Sequence, residues 1–185
     1  MSEGARAKHF GEIALPHLDA AYNLARWLMR NEVDAEDMVQ DAYLRAFRYF
    51  DGFAGTNARA WLLSIVRRVC YDALRRRSRD GISFEDADSP AFDDAIDGFV
   101  SQPVDPETSL LREADRALLD RLIAALPPLH REVIVLRELE ELSYREIADV
   151  VGIPLGTVMS RLNRARALLL KAWQTNVARE AARGL

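Results

Sequence analysis

Cysteine is almost absent from this chain, and its scarcity excludes several kinds of function at once. A single residue, Cys70, rules out an internal disulfide and any zinc site built from several thiolates. Inside an apolar-patterned stretch it reads as core filler. Histidine is nearly as scarce: His9, His17 and His130 are scattered, without the spacing of metal ligands. Neither a glycine-rich phosphate loop nor a nucleophile motif is present. No metal site, cofactor or catalysed reaction is therefore expected. Long apolar runs are missing too, so neither secretion nor membrane insertion is expected, and the cytoplasm is the default location.

What remains is an ordinary globular composition, 185 residues at 49% hydrophobic and 29% charged, enough for one domain or two small ones. The net charge of -4 argues against indiscriminate coating of nucleic acid. Its distribution says more than its sum. Residues 1–79 carry thirteen Lys or Arg against ten acids, and residues 80–111 hold nine acids and no Lys or Arg. From Leu142 to Leu185 there are seven Lys or Arg against three acids. A basic half, an acidic connector with Pro90, Pro103 and Pro106, and a basic tail suggest two DNA-facing modules around a self-repelling spacer. Phe84, Phe92, Ile96 and Phe99 make that spacer more apolar than a tether needs.

The stretch from Ser143 to Trp173 organises the C-terminal part. Ser143 followed by Glu146 is a capping box and starts a helix whose apolar face is Ile147, Val150 and Val151. Gly152 is suited to a left-handed helix stop and Pro154 to the first turn of the next helix. In that second helix Val158, Leu162, Ala165 and Leu169 form one stripe, while Gly156, Ser160, Asn163, Arg164 and Ala167 point the opposite way. Small residues at 156 and 160 permit close approach, and Asn163 and Arg164 carry groups that pair with base edges in a major groove. The pattern is that of a DNA-reading helix-turn-helix, although a helical hairpin with surface arginines also occurs in ordinary bundles.

In the N-terminal half a core helix is expected after Pro16, from Leu18, Ala21, Tyr22, Ala25, Leu28 and Met29. A second is expected from the cap Asp34 to about Phe50. The inner face of the second is Met38, Val39, Ala42, Ala46, Phe47 and Phe50. Its outer face, with Asp37, Gln40, Asp41, Leu44, Arg45 and Arg48, reads as a mixed solvated surface. Phe53 to Asn57 reads as a loop, with Asn57 capping a helix over Trp61 to Arg77. That helix carries the apolar stripe Trp61, Leu62, Ile65, Val66, Val69 and Ala73. Arg67, Arg68, Tyr71, Arg75, Arg76, Arg77 and Arg79 form a basic ridge, either merely solvated or a track for opened DNA with an aromatic for base stacking. A helix from about Pro106 to Leu126 and a short one from Leu129 to Leu139 complete a small C-terminal bundle.

The segment Leu126 to Arg166, LPPLHREVIVLRELEELSYREIADVVGIPLGTVMSRLNRAR, resembles the fourth conserved region of bacterial sigma factors and is most similar to the extracytoplasmic-function group. DAEDMVQDAYLRAFRYF, from Asp34 to Phe50, resembles the sigma segment that docks on the clamp coiled coil of RNA polymerase. The resemblance implies an all-α fold of two small domains, 1–79 and 112–185, joined by an acidic flexible linker over 80–111.

It implies that Asp37, Gln40, Asp41 and Leu44 contact core RNA polymerase at the clamp. Asn57, Trp61 and Arg68 would border a minus-10 base pocket, with Arg67, Tyr71, Arg75 and Arg76 along the same ridge. Gly156, Thr157, Ser160, Asn163 and Arg164 would make minus-35 base or adjacent contacts. Tyr144, Arg145, Arg166 and Lys171 would touch phosphates. Met159 departs from the pattern, since a Lys or Arg is usual there, and Arg161 reads as a salt-bridge partner of Glu132 or Glu146. The partners implied are core polymerase, through clamp and flap, promoter DNA and an anti-sigma factor. Two other readings remain: a dimeric helix-turn-helix regulator that works without polymerase, and a sigma mimic that titrates an anti-sigma protein.

Overall fold

The computed structural model describes residues 3–55, 57–78 and 109–183. Helix α1 (Glu3–Ala14) leads through a 3-10 turn at Leu15–His17 into α2 (Leu18–Met29), followed by α3 (Glu32–Arg48) and α4 (Ala58–Ser78). The C-terminal half contains α5 (Ser109–Ala125), α6 (Pro128–Ile134) with a π-helical turn at Val135–Leu139, α7 (Tyr144–Val151) and α8 (Leu155–Arg183). Among the described residues there is no strand. The expected all-α architecture is what forms. Residues 80–108 of the expected linker lie outside the described residues, and 109–111 belong to α5.

Periodicity places α2, α3 and α4 as expected, because each buries a continuous stripe: Leu24 and Leu28, Val39 and Ala42, Leu62, Val66 and Val69. Helix α1 was not expected. Its buried side chains are Phe10 and Ala14, too thin a stripe to stand out. It is anchored instead by Arg6, which donates to the Phe47 carbonyl at 2.8 Å and lies 4.6 Å over the Phe47 ring. Phe10 meets Phe47 and Phe50 edge to face at 5.2 and 5.3 Å.

The cap of α3 is also corrected. Asn31, not Asp34, has extended backbone, and its side chain accepts from the Asp34 amide at 3.0 Å. Asp34 sits in the first turn, where the helix dipole favours an acid. Its carboxylate takes both Nη groups of Arg77 at 2.7 Å, and that bond holds it below its ordinary value.

The two halves are not merely tethered. One apolar core runs from Leu24, Leu63 and Val66 into Leu126, Val133, Ile134 and Ile147. Arg131, fully inside, donates to the Trp27 carbonyl at 3.0 Å, and burial lowers its pKa. The helix expected over Leu129–Leu139 ends in the π turn, where the Glu140 amide reaches back to the Val135 carbonyl at 3.0 Å. Wider turns of this kind re-aim side chains. Here the result brings the Glu140 carboxylate to Asn23 at 3.2 Å and Arg59 at 2.6 Å.

Candidate nucleic-acid and polymerase interface

The turn between α7 and α8 forms as its residues dictate. Ser143 Oγ accepts from the Glu146 amide at 3.3 Å while Glu146 Oε2 accepts from the Ser143 amide at 2.7 Å, closing the capping box. Gly152 stops α7 at φ 76° and ψ 37°, the left-handed region that a side chain would strain. The Pro154 carbonyl then accepts from Thr157 and Val158 to begin α8.

Hydrogen bonds from Ser143, first from its side chain and then from its amide, and one from Asn57 hold the Glu146 carboxyl below its ordinary 4.5. A depressed carboxylate contributes stability that is fully present above its unfolded value and lost as pH falls through the folded one. Ser143→Ala is therefore expected to cost about 0.5 to 2 kcal/mol at neutral pH. Its difference from the parent should shrink in acid below that value, as read by thermal melts across the range.

Helix α8 buries Val158, Leu162 and Ala165, and its opposite face leaves Gly156, Ser160 and Asn163 exposed, with Thr157 and Arg164 half-exposed beside them. Ser160 donates to the Thr157 carbonyl at 3.0 Å. Arg145 and Lys171 are exposed, and the Arg137 guanidinium covers the half-exposed Tyr144 ring at 5.1 Å. Arg166 is engaged by Glu138 at 2.7 Å, but both side chains are exposed, so the pair contributes little to stability. Arg161 is buried and lies 3.6 Å from Glu132, the intradomain partner expected for it.

On α3, Asp37 and Gln40 are exposed, and Leu44 is 62% exposed, a large apolar side chain held out in solvent. Asp41 is half-buried and takes both Nε and Nη2 of Arg45 at 3.2 and 2.9 Å. Beside this patch a cleft of about 480 Å³ runs between α3 and α4 from Asp41 and Leu44 past Tyr49 to Arg68.

The ridge on α4 is less continuous than expected. Arg68, Arg75 and Arg76 are exposed, whereas Tyr71 is buried and Arg67 half-buried. The reason is that the C-terminal half covers this part of α4. Arg67 lies 4.6 Å over the Tyr71 ring and gives Nε and Nη2 to the two oxygens of Glu132 at 2.8 and 3.2 Å. Burial next to Glu132 raises the Tyr71 hydroxyl, and burial pushes the Cys70 thiol up to about 12, as befits core filler.

Asn57 caps α4 through Oδ1, 3.0 Å from the Ala60 amide, and donates Nδ2 to Glu146 Oε1 at 2.8 Å. Trp61 is half-buried against Phe53 at 4.6 Å between ring centres, a core anchor with one open edge. Sequence reasoning did not single out Arg59, Asn23 or Glu140, whose meeting depends on the π turn.

Among the described residues no cluster of His, Cys, Asp and Glu could hold a metal ion, and no helix is long and apolar enough to cross a membrane. The sigma-70 region 2 family matches residues 13–80, and the sigma-70 region 4 family matches residues 116–169. The chain is 34% identical over 158 residues to the ECF RNA polymerase sigma factor SigE of Mycolicibacterium smegmatis, covering 85% of this chain and 59% of that one. It therefore spans less than two thirds of that relative. With SigW of Bacillus subtilis it shares 30% over 165 residues, 88% of this chain and 87% of the relative. With the sigma-E factor of Escherichia coli it shares 37% over 134 residues, 72% and 70%.

Among solved structures, the sigma factor RpoE of Bartonella quintana in complex with the anti-sigma factor NepR matches with a TM-score of 0.67 at 29% identity, over 90% of this chain and 98% of that one. CnrH in complex with the cytosolic domain of CnrY matches at 0.61 and 26%, over 91% and 90%. The chain belongs to the sigma-70 family of RNA polymerase sigma factors. Within it, its place is the extracytoplasmic-function group.

Proposed function

We propose that this chain binds core RNA polymerase and directs it to promoters, reading a minus-10 element with the N-terminal half and a minus-35 element with the C-terminal half. It acts without catalysing a reaction, needs no cofactor, and works in the cytoplasm. The observation that carries this reading is the exposed row Gly156, Ser160 and Asn163 on α8, narrow and polar, backed by a fully buried stripe. Such a helix enters a major groove with its bases within reach. Thr157 and Arg164 flank the row, and Tyr144, Arg145, Arg166 and Lys171 supply phosphate contacts that set register without specifying sequence. In the N-terminal half, Asn57, Trp61 and Arg68 border the base pocket, and Arg75 and Arg76 serve the strand together with Arg67 once Glu132 releases it; Tyr71, buried beneath Arg67, does not reach it.

The polymerase contact is assigned to Asp37, Gln40, Asp41 and Leu44, an acidic patch around one exposed leucine that suits a basic coiled coil. The similar sigma factor RpoE, solved in complex with the anti-sigma factor NepR, makes an anti-sigma protein the expected regulator here too. The domain limits follow the same reading, 1–79 and 112–185 with a linker over 80–111.

The test is capture of the full chain by purified core polymerase. Asp37→Lys combined with Leu44→Lys changes two exposed side chains, so helicity and melting should hold. Like charges brought together at an interface cost several kcal/mol, so capture should weaken about a hundredfold. Unchanged capture would place the polymerase contact elsewhere.

A further inference from the structure

The donors assigned above to opened DNA already hold carboxylates from the other half of the chain. Glu146 accepts from Asn57 at 2.8 Å, and Glu132 takes the guanidinium fork of Arg67 at 2.8 and 3.2 Å. Between them Arg59 reaches Glu140 at 2.6 Å. Residues 57 to 67 span about 15 Å of helix, roughly four nucleotide steps of a DNA strand. A carboxylate and a phosphate offer an arginine fork the same paired acceptors.

We propose that Glu132, Glu140 and Glu146 form a clasp that occupies the strand-binding side of α4 in the unbound chain, so that the clasp and the minus-10 strand compete for the same donors. The inference rests on the assignment of Asn57 and Arg67 to that strand.

The clasp is built rather than incidental. Glu132 is fully buried and Glu140 is 5% exposed, so neither is a surface charge that found a neighbour by chance. Each is also tied elsewhere, Glu132 to Arg161 on α8 and Glu140 to Asn23 on α2. The block is one-sided: the outer row of α8 stays exposed while the side of α4 that carries Arg67 and Tyr71 is covered. Geometry demands that it open. Elements named for positions minus-10 and minus-35 lie roughly 85 Å apart along a duplex at 3.4 Å per step, whereas α4 and α7 touch. The two halves cannot read both elements until they part, and a polymerase that binds only the parted form drives the equilibrium that way.

Arg59 tests this, since no DNA contact is assigned to it. Spin labels at Val33→Cys and Asp149→Cys, both exposed on opposite halves, report separation in the full chain, and Cys70 is too buried to label. Arg59→Glu sets two carboxylates face to face and should lengthen the label distance. It should also raise affinity for a short mixed-sequence single-stranded oligodeoxynucleotide by about fivefold or more, the scale of ordinary coupling between sites, although a cation has been removed. Adding Glu140→Arg restores the pair in reverse and should undo both effects. Glu140→Gln, milder for folding, should move both in the same direction as Arg59→Glu.

Unchanged distances in Arg59→Glu and Glu140→Gln would overturn the clasp, as would separation without a gain in oligonucleotide binding. The underlying assignment fails in a distinguishable way: in the opened variant, Asn57→Ala and Arg67→Ala would then leave the gained binding intact while the labels remain apart.

Discussion

Glu132→Ala is expected to lower the free energy of unfolding by about 3 to 5 kcal/mol, the cost of removing one member of a buried ion pair and stranding the others. The carboxylate is fully buried and receives Arg67 from α4 at 2.8 Å and Arg161 from α8 at 3.6 Å. Arg161 is itself buried, so water cannot reach in to replace the lost acceptor at no cost. The charge, rather than the volume, is what matters. Glu132→Gln keeps the shape but offers a neutral acceptor, and it should still lose a large part of the stability. Changing Glu132 and Arg161 together to Met should recover much of it, because a packed apolar pair avoids desolvation altogether. Urea denaturation of the three variants checks this. A loss below about 1 kcal/mol for Glu132→Ala would mean the carboxylate is solvated and the two halves are not joined through it.

Leu162→Ala should cost about 2 to 5 kcal/mol. Leu162 is fully buried in the stripe with Val158 and Ala165 that seats α8 against the core containing Ile147 and Val133. Truncation leaves a void that α8 cannot readily collapse into, because Arg161 is tied to Glu132 and Val158 and Ala165 are buried in the same stripe. For a chain of this size each kcal/mol corresponds to about 2 to 4 °C, so the melting temperature should fall by roughly 5 to 15 °C. Duplex binding should fall with it, since the exposed row on α8 is only as well aimed as the buried row behind it. Leu162→Met, which nearly conserves volume, should cost under about 1.5 kcal/mol. Equal melting for the alanine and methionine variants would show that this helix is not held by its buried stripe.

What could be read without coordinates was whatever is settled within a few residues. The Ser143 and Glu146 box, the left-handed Gly152 and the stripe Val158, Leu162 and Ala165 are local matters, and the structure has each of them in place. The same holds for Asn57 as the cap of α4. The misplaced cap at Asp34 shows the limit of a residue-type rule: Asn31 and Asp34 are both good caps, and the bond from the Asp34 amide to Asn31 decides between them. Helix α1 escaped notice because it is held by cation and ring contacts to α3 and the turn after it rather than by a long apolar stripe.

Tyr71 was assigned to the outer ridge because periodicity within one helix cannot know that a second bundle covers it. Its burial, the pairing of Arg67 with Glu132 and the meeting of Arg59 with Glu140 all join residues more than sixty positions apart. No local pattern encodes such partners. The charge blocks signalled two basic modules around an acidic connector, whereas the carboxylates that join the halves, Glu132, Glu140 and Glu146, lie inside the C-terminal module.

The most direct measurement is run-off transcription with purified core RNA polymerase, this chain and a library of promoter fragments. Specific initiation from a subset of templates is the expected result, lost when Asp37→Lys and Leu44→Lys are combined. Core enzyme that stays silent on every template with the intact chain present, while the chain alone footprints duplex DNA as a dimer, would contradict the account.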